Sequence, residues 1–405
     1  MAFDLAAARA DFPILEEEIH GKRLVYLDSG ASAQKPVQVL ERMDHAYRHE
    51  YANVHRGLHT LANRATEAFE GAREKVRAFL NAGRVEEIVF TRSTTEAINL
   101  VASSFAGPRI GEGDEIVISI AEHHSNIVPW HFHRERKGAV IKWVDVADDG
   151  SFDLDAFAAT LTDRTRIVAI THMSNVLGTI NPAKQIVEIA HARGIPVLID
   201  GSQAAVHTRV DVQEIGADFY VFTGHKLYGP TGVGVLYGKY DLLAEMQPFL
   251  GGGEMIEEVS VDAVTYNAPP HRFEAGTPPI VQAIGLGAAI DYVETLGRDA
   301  IAAHEHEVAA YAGEQLSRIN SLRMIGTAAG KGGIFSFMLE NAHAHDVSTI
   351  LDRYGVAVRA GTHCAMPLLQ RFGVTSTCRA SFALYNGKDD VDALVEAVEK
   401  AQSFF

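Results

Sequence analysis

Short, wholly apolar runs alternate along the middle of the chain with stretches of helical periodicity. Residues 115–120, 140–146, 166–172, 196–200 and 218–223 each read as a buried strand closed by polar residues. A strand covered on both faces carries such a near-continuous apolar run. Between them, residues 183–193 are apolar at Ile186, Val187, Ile189 and Ala190 and stop at Gly194, which predicts an amphipathic helix with a glycine terminator. Strands alternating with helices predict an α/β fold on a mainly parallel sheet covered on both faces. Such sheets hold ligands at the carboxyl ends of their strands. Chemistry is therefore expected just past each apolar run.

Beyond about residue 285 the pattern changes. A long helical stretch over roughly 280–319 precedes Gly330-Lys331-Gly332-Gly333 and the strand-like Ile334–Leu339, with further helices predicted over 346–354 and 389–403. The chain of 405 residues suits two domains. The predicted division is a large domain over 20–285 and a smaller α+β domain over 286–405, with residues 1–19 packed on the latter.

Charge and cysteine usage narrow the partners. Thirty-six Lys plus Arg against 52 Asp plus Glu leave a formal charge of −16. Such a surface repels nucleic acid and anionic lipid, so neither is an expected partner. Two cysteines, Cys364 and Cys378, make neither a disulfide framework nor a structural zinc site, and point to a reducing compartment. No metal is expected, because the His-x-His pairs among 19 histidines lack carboxylate-rich spacing. The start of the chain has no basic segment followed by an apolar one, and no run approaches the roughly 20 apolar residues of a membrane span. A soluble, cytoplasmic protein is the expectation.

Five short segments carry chemistry. Lys226, in Thr223-Gly224-His225-Lys226, leaves the end of a buried strand; a desolvated amine is nucleophilic toward a carbonyl, although a loop lysine on the surface is the ordinary alternative. Asp200 ends the apolar Pro196–Ile199 run, where a carboxylate can keep a pyridine ring protonated or cap a helix, and Gln203 follows three residues on. Ser93-Thr94-Thr95-Glu96 is a capping box whose hydroxyls and free amides suit a phosphate. His123, in Ala121-Glu122-His123-His124-Ser125-Asn126, could stack on an aromatic ligand or move a proton. Cys364, in Arg359-Ala360-Gly361-Thr362-His363-Cys364-Ala365-Met366-Pro367, lies in a loop able to supply a thiolate. Cys378 suits packing, and its neighbour Arg379 is a candidate bidentate anchor for a carboxylate. A phosphate cradle, a ring-stacking histidine, a carboxylate and a Schiff-base lysine together describe a site for pyridoxal 5′-phosphate.

The chain resembles the class V aminotransferase-like enzymes of PLP-dependent fold type I, and within them the group II, SufS-type cysteine desulfurases. The likeness runs from Tyr26-Leu27-Asp28-Ser29-Gly30-Ala31 to Arg379-Ala380-Ser381. It includes Asn53-Val54-His55-Arg56-Gly57, Glu122-His123-His124-Ser125-Asn126, Ser174-Asn175-Val176-Leu177-Gly178 and Phe273-Glu274-Ala275-Gly276-Thr277-Pro278. The resemblance implies that Lys226 carries the cofactor and moves the α-proton. It gives Asp200 the ring nitrogen, Gln203 the ring hydroxyl and His123 the stacking contact. Thr94, Thr95, Thr223 and His225 would hold the phosphate, joined by Thr277 from the partner of a homodimer. Arg379 and Asn175 would bind the substrate carboxylate, with Arg359 and His55 nearby, and Cys364 would be the nucleophile. The implied reaction turns L-cysteine into L-alanine and leaves a persulfide on Cys364, its sulfur passing to a SufE-like acceptor for iron–sulfur cluster assembly. Selenocysteine lyase, or an aminotransferase or epimerase on the same scaffold, are the alternatives. Where the group carries two histidines before the cysteine, this chain has Thr362-His363.

Overall fold

Each of the five apolar runs forms a strand of one seven-stranded sheet in the computed structural model, which describes residues 3–405. In chain order the strands are β1 (Ile88–Thr91), β2 (Glu115–Ser119), β3 (Val140–Val144), β4 (Thr165–Thr171), β5 (Val197–Asp200), β6 (Phe219–Thr223) and β7 (Gly234–Gly238). Their spatial order is β1-β7-β6-β5-β4-β2-β3. Strands β2 to β6 pair in parallel, while β7 runs antiparallel between β1 and β6. The register sets Asp200 beside Thr171 and Val221, at the carboxyl edge. Helices cover both faces, and the two resulting layers of side chains are separate cores.

The predicted helix over 280–319 is two helices, Ile280–Leu296 and Arg298–Ser317, divided at Gly297 with φ 87°. A residue with a Cβ resists that conformation. The first of the pair packs on helices Val37–His45 and Thr60–Leu80, and its Ile284, Ile290, Tyr292 and Val293 lie in the core under the large sheet. A boundary at residue 285 therefore falls inside a helix that belongs to that core; periodicity shows an apolar face but not the surface it meets.

Four antiparallel strands form a second sheet: β8 (Leu322–Ile325), β9 (Ile334–Leu339), β10 (Arg359–Gly361) and β11 (Thr377–Ser381), ordered β8-β9-β11-β10. Its core includes Val347, Leu351, Val391, Leu394 and Val398 from helices Ala344–Arg353 and Lys388–Gln402. The N-terminal residues bridge the two units. Phe12 packs edge-on against Tyr228, Tyr292 and Tyr385 in the large core, and Arg9 holds Asp389 and Asp390 at the start of the closing helix. Val25–Tyr26 also pairs with Val356–Ala357. Both chain ends therefore contact the smaller unit. Among the described residues, no helix is long and apolar enough to cross a membrane.

Candidate active site

The carboxyl edge of the large sheet faces β10 and β11 across a cavity of about 660 Å³. Thr94 and Thr95 reach it from the helix after β1, His123 from the loop after β2 and Asn175 from the loop after β4. Asp200 and Gln203 come from the end of β5, and Thr223, His225 and Lys226 from the end of β6. Arg359, Cys364 and Arg379 close it from the small sheet. Of the candidate catalytic and binding residues, His55 and Thr277 do not line it.

Lys226 is enclosed, and burial pushes its amine down to about 8 despite the attraction of Asp200. Asp200 is buried, and its Oδ1 accepts from the Ser202 N–H at 3.0 Å and the Ser202 hydroxyl at 2.6 Å. Its Oδ2 has no partner among the described residues, which suits a protonated ring nitrogen. Gln203 donates its amide to the Gly30 carbonyl at 2.7 Å and keeps its oxygen for another contact. Burial pushes His123 down to about 3, so the ring is neutral. The Ser125 N–H donates to His123 Nδ1 at 3.1 Å, which places the ring proton on Nε2. A neutral ring held this way suits stacking.

The candidate phosphate cradle is built from close backbone approach. Ser93 caps the helix Thr94–Leu100, accepting from Glu96 N–H. A Cβ on Gly234 would stand 2.4 Å from the Ser93 carbonyl carbon, so only glycine lets β7 pass behind this loop. Thr94 and Ser202 share a hydroxyl–hydroxyl hydrogen bond at 3.0 Å, and Thr95 shares one with Ser125 at 2.7 Å. His225 is pushed down to about 4 by burial and the charges of Lys226 and Lys35. Its carbonyl accepts from the Ala33 N–H and the Lys35 ammonium, each at 3.1 Å, which holds the loop carrying Lys226. Ser125, Ser202 and Lys35 were not foreseen; the Asp-x-Ser spacing 200–202 is the one local signal among them.

The small sheet supplies cations and a thiol. Arg379 is buried, its guanidinium shared between the Asn175 carbonyl and Asp28, and its Nε has no partner among the described residues. A buried donor left unpaired is costly and suits an incoming carboxylate. Arg359 holds Asp28 at 2.7 Å. Cys364 is exposed, whereas Cys378 is buried, donates to the Ala344 carbonyl and is pushed up to about 12 by burial. His363 does not act as a free neighbour of Cys364: its ring is buried, bonds Thr377 at 2.8 Å and is pushed down to about 3. His55 lies outside the cavity, bonded to Glu70 at 2.8 Å beside His271. These three could together face a metal ion, but Arg73 already grips the Glu70 carboxylate through two hydrogen bonds. Thr277 follows Gly276 next to the hairpin Ile256–Val259/Val264–Tyr266.

A parallel sheet with a depressed lysine, a carboxylate with one free oxygen, a neutral stacking histidine and a hydroxyl-lined helix start defines the pyridoxal-phosphate-dependent transferases of fold type I. The chain matches the aminotransferase class-V family over residues 25–394, and it belongs to that family. It is 52% identical to a probable cysteine desulfurase of Halalkalibacterium halodurans over 394 residues, 97% of each chain. It is also 52% identical to a cysteine desulfurase of Dickeya dadantii over 399 residues, 98% of this chain and 97% of that one. Among solved structures it superposes on the Escherichia coli cysteine desulfurase CsdA with a TM-score of 0.93 and 43% identity, covering 100% of both chains.

Proposed function

We infer that this chain is a pyridoxal-phosphate-dependent cysteine desulfurase that converts L-cysteine to L-alanine and keeps the sulfur as a persulfide on Cys364. The observation that carries the reading is an exposed cysteine opening on the same cavity as a half-buried lysine with a depressed pKa. When bound, the cofactor supplies an aldehyde and a protonated ring that accepts electrons from the substrate α-carbon.

The chain's own groups do the rest. Asp200 would pair with the ring nitrogen, Gln203 would meet the ring hydroxyl and His123 would stack on the ring. Thr94, Thr95, Thr223 and His225 hold the phosphate, with Thr277 arriving from the partner subunit. Arg379 and Asn175, with Arg359, orient the substrate carboxylate. The Lys226 amine carries the cofactor, then takes the proton from the α-carbon and returns it. The Cys364 thiolate attacks the substrate sulfur; the Cβ–S bond breaks, a proton reaches Cβ, alanine leaves and the new S–S bond stays on Cys364.

The finer assignment is to the group II, SufS type, supported by the short Arg359–Cys364 approach. Its setting is cytoplasmic, and its sulfur goes to a SufE-like acceptor for iron–sulfur cluster assembly. A homodimer is supported by one surface. Leu58 and Val261 are fully exposed, with Val259, Val264 and Tyr266 beside the latter, and Arg56 ties that segment to Glu254 near Thr277 at 3.1 Å. The domain division that fits the cores breaks at Gly297, with the chain's first residues shared between units.

The test is to incubate the enzyme with L-cysteine without reductant, then measure alanine and intact mass. One added sulfur on Cys364 is expected, with alanine release abolished in Cys364→Ala. Undiminished release by that variant would exclude this function.

A further inference from the structure

His124, next to the ring-stacking histidine, faces a different part of the site. Cys364 sits in a four-residue turn, Thr362 to Ala365, closed by the Ala365 N–H to the Thr362 carbonyl at 3.0 Å. Both central residues have positive φ, 51° at His363 and 56° at Cys364. Residues with a Cβ resist that region, so the turn persists only where its surroundings hold it.

Three contacts do so. Asn175 Nδ2 donates to the His363 carbonyl at 2.7 Å. The His124 main-chain N–H donates to the Cys364 carbonyl at 2.7 Å. The Met366 N–H donates to the His124 ring at Nε2, 3.2 Å away. One residue therefore grips the chain on both sides of Ala365, the residue that follows the thiol. Its own platform is rigid: the buried Glu122 accepts from Asn126 Nδ2 at 2.7 Å and from the Thr171 N–H at 3.0 Å, which joins the ends of β2 and β4. A main-chain N–H can only donate, so the neutral His124 ring accepts at Nε2 and carries its proton on Nδ1.

We propose that His124 is a positioning residue for the nucleophile, clasping the strained turn so that the Cys364 thiol faces the substrate sulfur. The inference rests on the reading of Cys364 as the nucleophile and adds to it a residue that touches neither cofactor nor substrate. The adjacent pair then divides its work, His123 on the cofactor and His124 on the thiol, so that one short loop sets both.

The experiment uses the holoenzyme of His124→Ala, which keeps the main-chain bond and loses the ring acceptor. Visible absorption of the cofactor, its change on adding L-cysteine, and KM are expected to match wild type. The expected kcat falls roughly tenfold, equal to about 1.4 kcal/mol. Alkylation of Cys364 by iodoacetamide, followed by intact mass, is expected to change in rate by about fivefold, the equivalent of one lost hydrogen bond. His124→Gln, whose side-chain oxygen can accept the same N–H, is expected to recover most of both. Met366→Pro removes the donor instead, at the first position of helix Met366–Arg371, where proline is tolerated. It should reproduce the losses, with no further loss in the double variant, and it carries the same expectation alone if His124→Ala does not fold. Wild-type kcat and alkylation in His124→Ala, or additive losses in the double variant, overturn the clasp. Cys364→Ala separates the two ideas. If that variant is inactive while His124→Ala is fully active, only the clasp fails; if it releases alanine at the wild-type rate, the nucleophile fails and the clasp with it.

Discussion

Three residues carry the chain from the last pair of β6 to the amine of Lys226, and that short path explains the amine's reactivity. A Cβ on Gly224 would meet Val233 at 2.8 Å and the Pro230 carbonyl at 3.0 Å, so the turn closes only with glycine there. The amine is carried into the cavity, where burial lowers its pKa to about 8. The deprotonated form attacks an aldehyde. Capture of pyridoxal phosphate by the cofactor-free protein should therefore rise as pH climbs through about 8 and level off above it, whereas an ordinary lysine would keep gaining toward about 10.4. Stopped-flow absorbance across that range checks the midpoint. Asp200→Asn removes the anion from the ring nitrogen while keeping the side chain's shape. Its kcat is expected to drop by about a hundredfold or more, the scale of losing one preorganised electrostatic contact, as read by alanine release. Burial also separates the two thiols: at neutral pH iodoacetamide should label the exposed Cys364 and leave the buried Cys378 intact, which peptide mass mapping decides.

Elements are held in place by a few buried polar links. Arg73, wholly inside helix Thr60–Leu80, pairs with Glu274 at 2.6 and 2.9 Å and reaches the Ile88 carbonyl at 2.9 Å. Glu274 in turn accepts the Phe90 N–H at 2.7 Å. Helix, β1 and the segment leading to Thr277 thus meet at one ion pair. Arg73→Met leaves Glu274 buried without its cation, and should cost about 3–5 kcal/mol in urea-induced unfolding. The approach of β7 to the phosphate loop is a second such link. Gly234→Ala would force the Ser93 backbone aside, so the expected outcome is a folded protein with weakened cofactor retention, seen as loss of visible absorption on dialysis.

Across the whole molecule, the site exists only because two sheets face each other. The large sheet offers Lys226, Asp200 and the phosphate cradle; the small sheet offers Cys364, Arg359 and Arg379. A chain of net charge −16 gathers cations where two small anions are handled. The structure sharpens which ones: His123 and His225 are neutral, so the lasting positive charge comes from Arg359 and Arg379, with Asp28 between them. The exposed Leu58 and Val261 face extends this logic beyond one chain. On the proposed homodimer, in which Thr277 is supplied by a partner, Leu58→Asp is expected to give a monomer in analytical ultracentrifugation and to weaken cofactor binding.

The sequence by itself determined the buried strands, since a strand covered on both faces must be apolar throughout, and with them the sheet edge where Asp200 and Lys226 stand. It also narrowed the chemistry available there: a lysine, a carboxylate and hydroxyls at strand ends each have an ordinary structural use, and it is their combination that describes one cofactor site. Periodicity alone shows neither strand β7 nor the break within 280–319, because it records an apolar face without saying which surface it meets. Only the tertiary structure decided that Gly297 separates two helices and that His363 turns into the small sheet. Only the tertiary structure likewise decided that His55 pairs with Glu70 and that His124 reaches Met366. The contacts span 14 residues for His363 and Thr377, 15 for His55 and Glu70 and 242 for His124 and Met366, and local patterning, which records only which face is apolar, carries no record of them.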